Sequence, residues 1–124
     1  MQTQKSPARA WADRYVQTTN AGDYDELGAL FARDAVFLPP NGATLRGPDE
    51  IGGFYREFLP TIRPTVRIST FLEDGAEAMF VLSAVTVDRP EEFLGAVDHL
   101  TLDADGRAAR LVIFTRPPPE QIVS

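Results

Sequence analysis

The chain has 124 residues, of which 44% are hydrophobic, and carries a net charge of −6 from 18 acidic and 12 basic side chains. This is enough for one domain with its own core, and an acidic balance without any Lys/Arg cluster lacks the basic footprint that nucleic-acid binding needs. There is no cysteine and His99 is the single histidine, which excludes disulfides, thiolate nucleophiles, Cys-ligated zinc and a His-rich metal site.

No metal or cofactor is therefore expected. No apolar run approaches the roughly 18 residues of a membrane span. The opening "MQTQKSPARAW" has no apolar core of a signal peptide, so a cytoplasmic protein without membrane contact is expected.

Ser6-Pro7 reads as an N-cap followed by proline at the first helical position. The helix it predicts runs to about Thr19, with Trp11, Ala12, Tyr15 and Thr19 on one stripe. "NAGD" breaks it. Asp23 with Glu26 three residues on predicts a second helix, with Leu27, Leu30 and Phe31 on one face and its end near Arg33. "AVFLPP" predicts a short strand stopped by two prolines, and "NGATLRG" a turn with a short return strand. Gly47-Pro48-Asp49-Glu50 predicts a third helix through about Leu59, with acids in the first turn where the dipole favours them.

From Thr65 the pattern changes to period two. Strands are predicted at about 65–73, 77–87, 92–102 and 107–116, joined by turns at "EDGAE", "DRPEE" and "DADG". The Pro-rich tail, 117–124, is expected to be loosely held outside a core of about 6–116. Three helices followed by long antiparallel strands predict one α+β domain, in which a curved antiparallel sheet wraps around the helices as a cone with an apolar interior.

In the strand 92–102, Leu94, Ala96, Asp98, Leu100 and Leu102 share one face, so a carboxyl group is aimed with aliphatic neighbours at the interior. Tyr15 lies on the apolar stripe of the first helix, and Tyr55 follows Phe54 on the third. Each tyrosine can be a core aromatic whose hydroxyl finds a carbonyl. Asp98 can be an ion pair with Arg110 on the last strand. Alternatively, burial raises its pKa, it stays neutral at pH 7, and it becomes a hydrogen-bond donor beside a tyrosine hydroxyl. Two such donors in a dry pocket hold a ketone oxygen and stabilise the charge it gains on enolisation. His99 has the opposite parity, beside Phe93 and Val97, and is expected on the outer sheet face.

The segments "DRYVQTTNAGDYDELGALFARDAVF", "FYREFL" and "GAVDHL" resemble the ketosteroid isomerases of the nuclear-transport-factor-2-like (NTF2-like, or SnoaL-like) superfamily over about residues 8–116. Asn20-Ala21-Gly22-Asp23 is shared across the superfamily, whereas Tyr15, Tyr55 and Asp98 together are closer to the isomerase branch. The resemblance implies an NTF2-like cone, an oxyanion hole made by Tyr15 and Asp98, and Tyr55 hydrogen-bonded to Tyr15. Trp11, Phe31, Phe54, Phe80 and Leu100 are the expected ligand-lining residues. The family's general-base aspartate falls on Pro39, in Leu38-Pro39-Pro40. Proline cannot take a proton, and no replacement is evident in the sequence.

The function expected is steroid delta-isomerase-like: binding of a hydrophobic ketone or phenol, steroid or polyketide-like, with the usual base missing. The alternatives are a non-catalytic binding protein and a polyketide cyclase or epoxide-opening enzyme. A homodimer is expected through the outer sheet face, with Phe93, Val97 and His99 buried in it.

Overall fold

In the computed structural model, which describes residues 5–115, Ser6 Oγ accepts the backbone N–H of Arg9 at 3.1 Å and Pro7 opens helix α1, Pro7–Ala21. Gly22 ends it in the left-handed region, φ 70°, where its N–H reaches back to Thr19 O. Asn20 then ties the helix to the sheet: its side-chain amide donates to Val66 O at 2.9 Å and its Oδ1 accepts Val66 N–H at 2.8 Å. Asp23 caps helix α2, Tyr24–Ala29, by accepting from Glu26 N–H.

Helix α2 is shorter than its pattern suggests. Leu30 O accepts both the Ala108 N–H, at 2.9 Å, and the Trp11 indole N–H, at 2.8 Å. That carbonyl is thereby committed to the sheet edge, and strand β1, Phe31–Leu38, starts at the next residue. After the two prolines come the short β2, Leu45–Arg46, and helix α3, Gly47–Ile62. Helix α3 runs past its expected end and contains Pro60 in its last turn. It closes through Arg63 N–H to Leu59 O at 2.7 Å. Gly47 turns the chain from β2 into α3 with φ 79°, and a Cβ there would lie 2.9 Å from Arg33 O.

The remaining strands are β3, Thr65–Asp74, β4, Glu77–Val85, β5, Phe93–Leu102, and β6, Ala108–Phe114. They form one six-stranded curved, unclosed sheet in the order β2-β1-β6-β5-β4-β3. The expected α+β class, three helices packed against a curved sheet, is what the molecule shows. One pairing departs from the antiparallel expectation: β1 runs parallel to β6. Hairpin turns force β3 to β6 to alternate in direction, but β1 joins β6 across most of the chain, where no tight turn sets the direction.

The core lies between helices and sheet. Trp11 stacks on Tyr15 at 5.1 Å, and Phe31, Phe37, Ile51, Phe80, Leu100 and Leu111 are fully buried around them. Full burial of each such side chain contributes about 1.5–3 kcal/mol. Among the described residues no helix is long and apolar enough to cross a membrane. The expected loose tail, 117–124, lies outside the described residues.

Strand β5 holds one irregularity that matters for the site. Ala96 pairs with Leu82 and Leu94 with Ser83, so Gly95 is an extra residue, a β-bulge. A Cβ at Gly95 would sit 3.1 Å from both Ala84 Cβ and Leu82 O. Side-chain parity inverts across the bulge. Ala96, Asp98, Leu100 and Leu102 face inward as expected, but Leu94 turns out, 44% exposed, and Phe93 turns in. The outer face therefore carries Leu94, Val97 and His99; Phe93 does not belong to it. Met79, Leu72 and Phe114 extend this apolar surface over β4, β3 and β6, exposed by 44%, 68% and 52%. His99 Nε2 lies 2.8 Å from Glu77 Oε1 on the same face.

Candidate functional site

Tyr15 and Tyr55 reach each other across the helix layer. Their hydroxyl oxygens are 2.6 Å apart and both residues are buried. Neither hydroxyl is bonded to a backbone carbonyl; they are bonded to one another. The pair uses one of two hydroxyl protons, so one remains free to donate elsewhere. Burial first, then the neighbouring Tyr55 and Asp98, raise the Tyr15 pKa well above the usual range. Burial and Asp98 do the same for Tyr55, against a smaller opposing effect of its hydrogen bond with Tyr15. Both phenols hold their protons at neutral pH.

Asp98 sits in β5 between Phe80 of β4 and Ile113 of β6. It is fully buried, and neither carboxyl oxygen has a hydrogen-bond partner. The ion pair with Arg110 does not form. Arg110 is registered opposite Thr101, one residue of parity away from Asp98, and faces solvent. With no cation near, burial away from bulk water raises the Asp98 pKa from 3.8 to about 8. The carboxyl is therefore mostly neutral at pH 7 and carries a proton it can donate. A buried polar group without a partner costs about 1–3 kcal/mol. Two such oxygens in a packed sheet are a cost that the fold retains.

These three side chains share a cavity of about 260 Å³. Its walls are apolar: Phe54, Leu59, Leu82, Ala84, Phe93 and Ile113 are among them, with Phe58, 43% exposed, at its mouth. Among the described residues, Tyr15, Tyr55, Asp98 and Thr19 are the buried polar residues on the wall, and Asp98 is the sole carboxylate there. Pro39 is buried at the end of β1 and is not on the wall, whereas its neighbours Pro40 and Asn41 are. Among the described residues, no three His, Cys, Asp or Glu side chains come together as metal ligands do.

Of the aromatic and aliphatic residues expected to touch a ligand, the structure puts Phe54 on the cavity wall. Trp11, Phe31, Phe80 and Leu100 belong to the packed core and are not part of the wall. Trp11 is covered by Tyr15 and Phe31 and spends its indole N–H on Leu30 O. Parity correctly turned Leu100 and Phe80 inward, but it does not say how far along a strand the cavity extends. Thr19, Leu82, Ala84, Phe93 and Ile113 also line it. Thr19 was visible on the stripe of Tyr15, and Leu82, Ala84 and Ile113 follow strand alternation. Phe93 was hidden by the bulge.

A SnoaL-like domain model matches residues 12–111. No curated protein matches the chain. Among solved structures, RV0760c from Mycobacterium tuberculosis superposes with a TM-score of 0.78 at 21% identity, over 93% of this chain and 95% of that one. A computationally designed 17-OHP binder gives 0.75 at 22%, over 91% and 93%. A Kribbella flavida protein provisionally assigned as a ketosteroid isomerase gives 0.73 at 25%, over 95% and 88%.

The Asp98 carboxyl makes a prediction for stability. Its folded pKa, about 8, is above the ordinary 3.8, so between these values the unfolded chain releases a proton that the folded chain keeps. Stability should fall as pH rises through that window and level off above it. Asp98→Asn has no such proton. Relative to wild type, its unfolding free energy should rise from about pH 4 upward, by on the order of 4 kcal/mol at pH 7. Urea unfolding of both proteins across this range checks it; a difference independent of pH would mean an ordinary carboxylate.

Proposed function

The chain belongs to the SnoaL-like family, and from its buried, unpartnered carboxyl we propose that it binds a flat hydrophobic ketone or phenol, of steroid or polyketide type, in a steroid delta-isomerase-like pocket. Asp98 carries the reading. A neutral carboxyl and a free phenolic proton on one apolar wall form an oxyanion hole, with Tyr15 and Asp98 donating and Tyr55 supporting Tyr15. Such donors strengthen as charge grows on the oxygen, because an apolar wall screens them less than water does. The designed 17-OHP binder of the same fold supports the idea that a cavity so placed takes such a ligand. At about 260 Å³ the cavity is just below the roughly 300 Å³ where ligand clefts usually begin. A larger ring system would extend outward past Phe58.

Isomerisation also needs a base that moves a proton between carbons. The family's base position corresponds to Pro39, and among the described residues the cavity wall offers no carboxylate besides Asp98. Asp98 cannot serve as donor and base at once. Carbonyl polarisation is therefore retained and proton transfer is slow. That observation favours, as a second reading, a protein that binds its ligand without turning it over.

Pro39→Asp should raise the turnover of a β,γ-unsaturated ketosteroid about 10²-fold, the low end of what a positioned base contributes. Release of the proline-fixed backbone works against part of this gain. Asp98→Leu should weaken binding in both backgrounds, since it deletes a donor. Steady-state rates on one substrate check this; a wild type as fast as Pro39→Asp would mean that a base exists elsewhere.

We also propose that the outer sheet face joins two copies as a homodimer. Leu72, Met79, Leu94 and Phe114 leave an apolar surface on four neighbouring strands, which a monomer in water does not favour. Sedimentation equilibrium should give a dimer for wild type and a monomer for Phe114→Lys. A wild-type monomer at high micromolar concentration would contradict it.

A further inference from the structure

Among the described residues, two bury side-chain oxygens that have no hydrogen-bond partner: Asp98 and Thr19. Both line the same cavity. Thr19 stands one helical turn after Tyr15 on α1, on the same face, and is only 8% exposed. A helical threonine normally spends its hydroxyl on the carbonyl three or four residues back. Its neighbour Thr18 does this, donating to Arg14 O at 2.8 Å and Tyr15 O at 3.2 Å. Thr19 makes no such bond.

The other polar residues on the wall differ. Asn41 is exposed and its Oδ1 accepts Ala43 N–H at 2.9 Å. Thr86 Oγ1 accepts Arg89 N–H at 3.1 Å. Thr115 is exposed to water. Among the described residues, Thr19 is thus the one wall hydroxyl that is both buried from solvent and without any hydrogen bond. A ligand with a single oxygen, held at Tyr15 and Asp98, would leave it so. A valine would fill the same space at position 19 without the unspent hydroxyl.

We infer that Thr19 is a second polar anchor of this cavity, and that the ligand carries a second hydroxyl or carbonyl oxygen on its apolar skeleton. This rests on the reading of Tyr15 and Asp98 as the first anchor. A hydroxyl both donates and accepts, so either kind of oxygen satisfies it. A site built around such a bond discriminates against analogues that lack the group, because its own polar atom is then left unpaired.

The test compares wild type, Thr19→Val and Asp98→Leu, each titrated with a monohydroxynaphthalene and with its dihydroxynaphthalene isomers. Wild type should bind the best dihydroxy isomer about fivefold more tightly than the monohydroxy compound, the effect of one net hydrogen bond. Thr19→Val should lose that preference and keep its affinity for the monohydroxy compound. Asp98→Leu should weaken both by the same factor. Without ligand, Thr19→Val should melt no lower than wild type; a clearly lower Tm would show a hydroxyl already bonded in the fold and would overturn the inference. A preference that survives in Thr19→Val, or is absent from wild type, would overturn it too while leaving the first anchor standing. Wild type binding neither compound would remove both.

Discussion

A carboxyl group held in the middle of the sheet, fully buried and without a cation beside it, constrains everything around it. Asp98 has Phe80 on one side and Ile113 on the other. Ionising it there costs on the order of 6 kcal/mol, a large share of the roughly 5–15 kcal/mol that stabilises a domain. The proton has to stay on, and burial holds it there up to about pH 8. The helices complete the environment. Trp11 stacks on Tyr15, Tyr15 bonds to Tyr55, and α3 is anchored from Gly47 onward so that Tyr55 reaches the same cavity. Among the described residues one buried hydrogen bond joins two side chains, the phenol pair, and Asp98 shares its cavity with a proton unspent.

The sheet is shaped to make this possible. The bulge at Gly95 turns Phe93 into the cavity and Leu94 out of it. One added residue thus gives the cavity an aromatic wall and the outer face an aliphatic contact. Asn20 fixes the end of α1 to the start of β3 with two hydrogen bonds, which sets the position of Thr19 and Tyr15 over the strands. Asn20 therefore holds the frame, while Tyr15, Tyr55 and Asp98 line the space inside it.

Much of this was legible in the sequence because it follows from periodicity. Tyr15 lies four residues after Trp11, and Asp98 alternates with Leu100 and Leu102, so both could be placed inward before any coordinates. The Ser6-Pro7 and Asp23 caps located two helix starts. Other features depend on contacts across the chain. The end of α2 is set by Leu30 O bonding to Ala108 and Trp11, residues remote from it in sequence. The parity of Leu94 and Phe93 depends on how β5 registers against β4; the signal for it, a glycine inside a strand pattern, was present at Gly95. Which inward residues line a cavity and which fill the core depends on helix position, and this is why Trp11, Phe31, Phe80 and Leu100 were expected where Thr19, Leu82, Ala84 and Ile113 are found.

Chemically, the cavity wall carries a phenol pair and one buried carboxyl and, among the described residues, no second carboxyl to move protons between carbons. The two facts separate oxygen recognition from turnover. The central claim is that Asp98 donates its proton to the ligand's oxygen together with Tyr15. An isotope-edited infrared spectrum of a bound enone steroid, labelled at its carbonyl, tests this most directly. The carbonyl stretch should move to clearly lower frequency in wild type than in an apolar solvent, and most of that shift should vanish in Asp98→Leu. A carbonyl frequency that is the same in wild type, in Asp98→Leu and in the apolar solvent would contradict it.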